Sequence, residues 1–166
     1  MTESRNDEMQ DSLENKPADT YFTLGMHFNR ERDWEHAIKS FTSVIELEPD
    51  NAFAYDKRGI VYGKISHYEE AIADFNAAIG IDDTFAGAYN NRGLSYYKLY
   101  EFDKALTDYN RAIEIKPDIA RFYANRGLAH QWREEYAPAI EDFDKAIELD
   151  SNLIEAHLSR GELYAN

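Results

Sequence analysis

The chain has 166 residues, 43% of them hydrophobic, and no cysteine, which excludes disulfides, thiolate metal sites and a cysteine nucleophile. Eighteen lysines and arginines against 32 aspartates and glutamates give a net charge of −14, so phosphate backbones and anionic membrane surfaces are repelled. No apolar run approaches the roughly 20 residues of a membrane helix, and the N-terminus has neither the basic start nor the apolar core of a signal peptide; the expected location is the cytoplasm.

Residues 1–17 read as a polar tail. Met9 and Leu13, besides Met1, are its only large apolar side chains, too few to bury anything, so disorder is predicted. Pro17 ends the tail, a residue well suited to the entry of a helix. From Ala18 one pattern recurs every 34 residues, through units 18–51, 52–85, 86–119 and 120–153 and a partial fifth at 154–166. Glycine holds the eighth place (Gly25, Gly59, Gly93, Gly127, Gly161). Tyrosine or histidine stands four residues earlier (Tyr21, Tyr55, Tyr89, Tyr123, His157).

Alanine holds the twentieth place (Ala37, Ala71, Ala105, Ala139) and an aromatic the twenty-fourth (Phe41, Phe75, Tyr109, Phe143). Within each unit the apolar spacing is helical twice over, as in Tyr89, Gly93, Tyr96 and then Ala105, Tyr109, Ala112. Trp34, Tyr68, Phe102 and Tyr136 mark the start of each second helix, and Leu47, Ile81, Ile115 and Leu149 its close. A glycine inside a helix costs about 1 kcal/mol against alanine, so five in one phase imply close helix approach. A fixed period of this length marks a stacked repeat.

These residues resemble the tetratricopeptide repeat (TPR), and the likeness covers 18–166. It departs at the seventh place, where Leu24 is followed by Arg58, Arg92, Arg126 and Arg160, and at the closing proline, which is Asp83 and Ser151 in the second and fourth units. The arginines are matched by Asp74, Asp108 and Asp142, whereas the unit with Leu24 has Ser40. Two pairings are open: within a unit (Arg58–Asp74, Arg92–Asp108, Arg126–Asp142), or between neighbouring units (Arg92–Asp74, Arg126–Asp108, Arg160–Asp142). Both roles are structural. The resemblance implies an all-α fold, a right-handed α–α superhelix of helix-turn-helix repeats, forming one TPR domain over 18–166.

It also implies a groove lined by the first helix of each unit, in which family members capture peptides or helices. Carried over by position, the expected peptide contacts are Met26 in the first unit; Lys57, Ile60 and Lys64 in the second; Asn90, Asn91, Leu94 and Lys98 in the third; and Arg121, Asn125, Leu128 and Trp132 in the fourth. Met26, Ile60, Leu94 and Leu128 make an apolar line, and an asparagine amide such as that of Asn91 or Asn125 both donates to and accepts from a peptide backbone; alternatively these amides bond to water or neighbouring helices. The two-carboxylate clamp by which some relatives hold chaperone tails is incomplete, because Asp56 and Ile60 stand where it needs lysine and asparagine.

No catalytic constellation emerges. His130 and His157 are expected as a satisfied core pair near the last units, with no third ligand for a metal. Every glycine at the eighth place is assigned to packing, and neither Ser95 nor Ser159 has a base in phase. The sequence therefore points to a non-enzymatic scaffold with a protein or peptide partner and no cofactor, metal, nucleic acid or membrane. Two alternatives stay open: self-association, possible as a homodimer through the C-terminal helix, whose face near His157, Arg160 and Tyr164 lacks a second helix; and a regulatory subunit of an enzyme.

Overall fold

The structure is a computed structural model that describes residues 17–165. The expected disorder of 1–16 lies outside the described residues, where nine α-helices and no strand are found. None of these helices is long and apolar enough to cross a membrane. Backbone contacts divide the chain into two compact units, Met1–Ile81 and Asp82–Asn166. That division suits a repeat fold, in which each hairpin packs mainly on its neighbours instead of around one centre.

The first unit holds α1 (Ala18–Arg30), α2 (Trp34–Leu47), α3 (Ala52–Lys64) and α4 (Tyr68–Ile81). The second holds α5 (Ala86–Lys98), α6 (Phe102–Ile115), α7 (Ala120–Trp132), α8 (Tyr136–Leu149) and α9 (Ile154–Ala165). Consecutive helices form antiparallel hairpins, α1 with α2 and α3 with α4 in one unit, α5 with α6 and α7 with α8 in the other. The second helix of each hairpin opens and closes at the aromatic and aliphatic residues expected from the period.

Each hairpin turns in the same way. The residue two before the second helix adopts a left-handed conformation without being glycine: Arg32, Ser66, Tyr100 and Glu134, with φ of 61°, 64°, 61° and 60°. The next N–H reaches back five residues, as from Asp33 to Phe28 O at 2.9 Å and from Glu135 to His130 O at 2.9 Å. This closes the carbonyls that a helix end leaves open. Asp33 then caps α2, accepting from the His36 N–H, and Asn51 caps α3 through the Ala54 N–H.

Four of the five phased glycines have a specific steric reason; the packing role expected of Gly161 is corrected, since a Cβ there would meet no atom within 4 Å. A Cβ on Gly25 would lie 2.7 Å from the Phe41 ring, on Gly59 2.8 Å from Phe75, on Gly93 2.9 Å from Tyr109 and on Gly127 2.8 Å from Phe143. The aromatic of each of these second helices thus packs directly against the glycine of its own first helix. Ala37, Ala71, Ala105 and Ala139 are fully buried beside these contacts. In the second unit, Phe143 joins Ala124, Ala139, Ala146 and Ala156 in one cluster, and Tyr109 joins Ala105, Leu106 and Ala129 in another.

The arginines pair within their hairpins. Arg58 Nε and Nη2 donate to Asp74 at 2.8 and 2.7 Å, Arg92 to Asp108 at 2.8 and 2.6 Å, and Arg126 to Asp142 at 2.9 and 2.6 Å. These forked bonds are the strong geometry for guanidinium and carboxylate, and they raise each arginine's pKa further above its ordinary value. The remaining nitrogen reaches the preceding hairpin, though not its aspartate. Arg58 Nη1 donates to Thr42 at 2.9 Å and Arg126 Nη1 to Asn110 at 2.7 Å. The between-unit alternative is therefore corrected for Arg126 and Arg160, which reach Asn110 and Asp144 instead of Asp108 and Asp142.

The histidines also differ from expectation. His130 Nδ1 bonds Glu135 at 2.6 Å, whereas His157 Nε2 bonds the Ser151 carbonyl at 3.0 Å. They are not a pair, because His157 does the work of a tyrosine at its place: Tyr123 likewise donates to a carbonyl six residues back, that of Pro117.

Candidate functional site

In the second unit the first helices α5, α7 and α9 lie side by side, so residues one repeat apart come together. Asn125 on α7 donates its amide to Asn90 Oδ1 on α5 at 2.8 Å, and Asn90 donates in turn to Asn91 Oδ1 at 3.4 Å. Asn90 is only 6% exposed. Its place is under the surface, fixing the amides of Asn91 and Asn125, and not in the layer that meets solvent. The Oδ1 of Asn125 carries no hydrogen bond among the described residues. The asparagines therefore combine both readings of the sequence: local satisfaction on one side, an acceptor left over on the other.

Apolar surface flanks this polar row. Leu94 is 39% exposed and Trp132 58%, while Leu128 is half-buried against the cluster around Phe143. Trp132 stacks on Phe102, ring centroids 6.1 Å apart, and meets Tyr100 edge-on at 6.2 Å. Burial pushes the nearby Tyr97 hydroxyl upward in pKa, an effect opposed by the neighbouring Trp132 indole N–H. Arg121 is exposed and unpaired among the described residues, and Lys98 Nζ lies 5.8 Å from the Tyr97 ring centroid.

A cleft of about 770 Å³ opens between α7 and α9, lined by Leu128, Gln131 and Trp132 on one side and Ser159, Glu162 and Leu163 on the other, with Glu134 and Tyr136 at its end. The α9 residues were not among the expected contacts. Part of their signal was available, since Ser159 and Glu162 hold the sixth and ninth places of the partial fifth unit, the places that gave Asn125 and Leu128, whereas Leu163 holds the tenth, which gave no expected contact.

In the first unit, Met26 and Lys64 line a second recess of about 560 Å³ with Asn29, Arg30, Arg32 and Trp34. Lys64 Nζ donates to Asn29 Oδ1 at 2.7 Å and sits 5.2 Å from the Trp34 ring centroid. Lys57 Nζ bonds the buried Asp56 carboxylate at 2.8 Å, so its charge is spent within the protein. Ile60 is half-buried beside it. Among the described residues no three histidines, aspartates or glutamates are grouped to hold a metal ion.

The repeat geometry has known counterparts. The family profile "Tetratricopeptide repeat" matches residues 86–119 and 120–153, and the profile "TPR repeat" matches 67–99. No curated protein matches the sequence. Among solved structures the chain is similar to MamA, 27% identical over 89% of this chain and 81% of that one, with a TM-score of 0.78. It shares its fold with pilF of Pseudomonas aeruginosa, 24% identical over 88% and 67%, TM-score 0.82. It is also similar to the first TPR of Spaghetti (RPAP3) bound to an HSP90 peptide, 25% identical over 69% and 90%, TM-score 0.67. The fold is an all-α helical repeat of the kind that serves as a protein-interaction scaffold, and the chain belongs to the tetratricopeptide repeat family.

Proposed function

We propose that this protein is a non-enzymatic scaffold that captures a peptide or helix of a partner on the face shared by α5, α7 and α9. The observation that carries this reading is the surface beside Asn125, where Leu94 and Trp132 remain exposed next to a 770 Å³ cleft. Concave, largely apolar surface with a few fixed polar groups is what holds a ligand in orientation. The amides of Asn91 and Asn125 address the ligand backbone, the leucines and Trp132 its apolar side chains, and Lys98 and Arg121 a carboxylate. In a chain of net charge −14 those two cations make this face locally less acidic than the remainder. The first-unit recess at Met26 and Lys64 is a second, separate contact surface on the same reading.

A relative solved with a peptide supports the ligand class. The chaperone tail itself is not the ligand proposed. Asp56 places a buried carboxylate where a carboxylate clamp needs lysine, and charge-assisted donors carry most of such a clamp.

The test is selection of peptides from a displayed library on the wild-type protein, with counter-selection on Leu94→Asp/Arg121→Glu. Recovery of peptides that bind only the wild type is expected. Peptides that bind both forms equally would refute this face as the working surface.

A further inference from the structure

The thirteenth and fifteenth places of each repeat lie where a first helix ends and its hairpin turns. In the second unit these places bring aromatic rings together: Tyr100 meets Trp132 edge-on, and Trp132 stacks on Phe102. In the first unit they bring cations together. Arg30 and Lys64 hold the thirteenth place of their repeats and Arg32 the fifteenth, around a recess of about 560 Å³ walled by Met26 and Trp34.

These charges are available to a ligand. Arg30 and Arg32 are exposed and carry no hydrogen bond or ion pair among the described residues. Lys64 is positioned without being neutralised: its Nζ donates to Asn29 Oδ1 at 2.7 Å and lies 5.2 Å from the Trp34 ring centroid. Of the two acids in the turn, Glu31 does not line the recess. Asp33 spends its carboxylate on His36, accepting from the backbone N–H at 3.3 Å and meeting Nδ1 at 2.8 Å. The turn's own N–H groups close the last α1 carbonyls, Glu31 to His27 O at 3.0 Å and Asp33 to Phe28 O at 2.9 Å. A cation in the last helical turn suits the helix dipole, which accounts for Arg30 and Lys64. It gives no reason for Arg32, which lies beyond the helix at φ 61°.

We propose that this recess binds a phosphorylated serine or threonine in an extended segment of a partner protein; the inference rests on the reading of the recess as a contact surface and names its ligand. On a chain of net charge −14, a lining of three cations and no acid singles the recess out for an anion. A phosphate monoester brings about two negative charges and three acceptor oxygens, whereas a carboxylate brings one charge to three cations. The two free guanidinium forks suit phosphate oxygens, and Lys64 adds a point charge. Met26 and the half-buried Trp34 take the residue beside the phosphate. An anionic bilayer is disfavoured, because the chain as a whole repels it.

The probe is a library of short immobilised peptides with a central phosphoserine and random flanks, offered to the full chain beside the same library with serine. Retention on the phosphorylated library alone is expected. Peptides selected from it should bind in fluorescence anisotropy with a Kd below about 100 µM. Phosphatase treatment should weaken them at least tenfold. So should Arg30→Gln/Arg32→Gln, with an unchanged melting curve because both side chains are exposed. The Leu94→Asp/Arg121→Glu form should bind these peptides as the wild type does, so this inference and the α5, α7 and α9 face fail separately. No retention, equal retention of both libraries, full binding by Arg30→Gln/Arg32→Gln, or loss in Leu94→Asp/Arg121→Glu overturns the proposal. So does inorganic phosphate that binds as tightly as the peptides, or binding to phosphatidylserine vesicles that the arginine substitutions abolish, since a free anion or a membrane would then be the occupant.

Discussion

Arg126 and Asp142 are joined by two parallel hydrogen bonds across α7 and α8, and the third arm of the same guanidinium ties Asn110 of the preceding hairpin. One side chain thus fixes both the angle within a hairpin and the stacking of two hairpins. Asp142 is 4% exposed, so removing its partner leaves a buried, uncompensated charge. Arg126→Leu should cost about 3–5 kcal/mol in chemical denaturation. The first hairpin carries Leu24 and Ser40 at these two places, with Ser40 Oγ satisfied by the His36 carbonyl at 2.7 Å. Adding Asp142→Ser to Arg126→Leu should therefore restore most of the loss, a coupling a double-mutant cycle reads directly. Additive losses would contradict the pairing.

Tyr109 is the one phased ring with a hydroxyl. It is fully buried, and its oxygen has no hydrogen-bond partner among the described residues. Burial drives its pKa far upward, so the group stays neutral. An unmet buried hydroxyl costs about 1–3 kcal/mol. Tyr109→Phe, which copies Phe41, Phe75 and Phe143, should raise stability by about 1 kcal/mol in thermal and urea melts. A loss would mean the hydroxyl has a partner after all.

Glycines in one sequence phase should answer oppositely to the same substitution. Gly127→Ala drives a methyl to 2.8 Å from the Phe143 ring, in a cluster with no room to yield, at a cost of about 2 kcal/mol. Gly161→Ala meets nothing and should stabilise α9 by about 0.5–1 kcal/mol through helix propensity. Paired melting curves check this, and equal effects would sink the steric account.

The left-handed turn residues hold strain that glycine relieves. Ser66 is exposed at φ 64°, where an L side chain costs about 1–2 kcal/mol. Ser66→Gly should raise the melting temperature by a few degrees, net of the entropy that glycine adds to the unfolded chain. No gain would show that the turn is held without strain.

Much of this architecture was legible because position and residue type covary. Trp34, Tyr68, Phe102 and Tyr136 open second helices because the 34-residue phase and the 3.6-residue period agree there. The arginine–aspartate pairs were legible because leucine and serine replace both partners together in the first unit. The third arm was not, since Thr42 and Asn110 share a place but no residue type. The left-handed turns were hidden too: Arg32, Ser66, Tyr100 and Glu134 carry no glycine signal, and only the backbone reveals what they share. At the candidate site, the family resemblance implied Asn90 as a contact, but a helix face is broader than the layer that reaches solvent. The partner amide of Asn125 draws Asn90 inside.

The most direct test of the inner face is calorimetric titration of a library-selected peptide into the wild type, Leu94→Asp, Arg121→Glu and Glu141→Lys. Leu94 and Arg121 are exposed on α5 and α7, and Glu141 is exposed on α8, so none should shift the melting temperature by more than about 2 °C. The account predicts at least tenfold weaker binding for the first two variants and wild-type affinity for Glu141→Lys. Full affinity in Leu94→Asp and Arg121→Glu would contradict it.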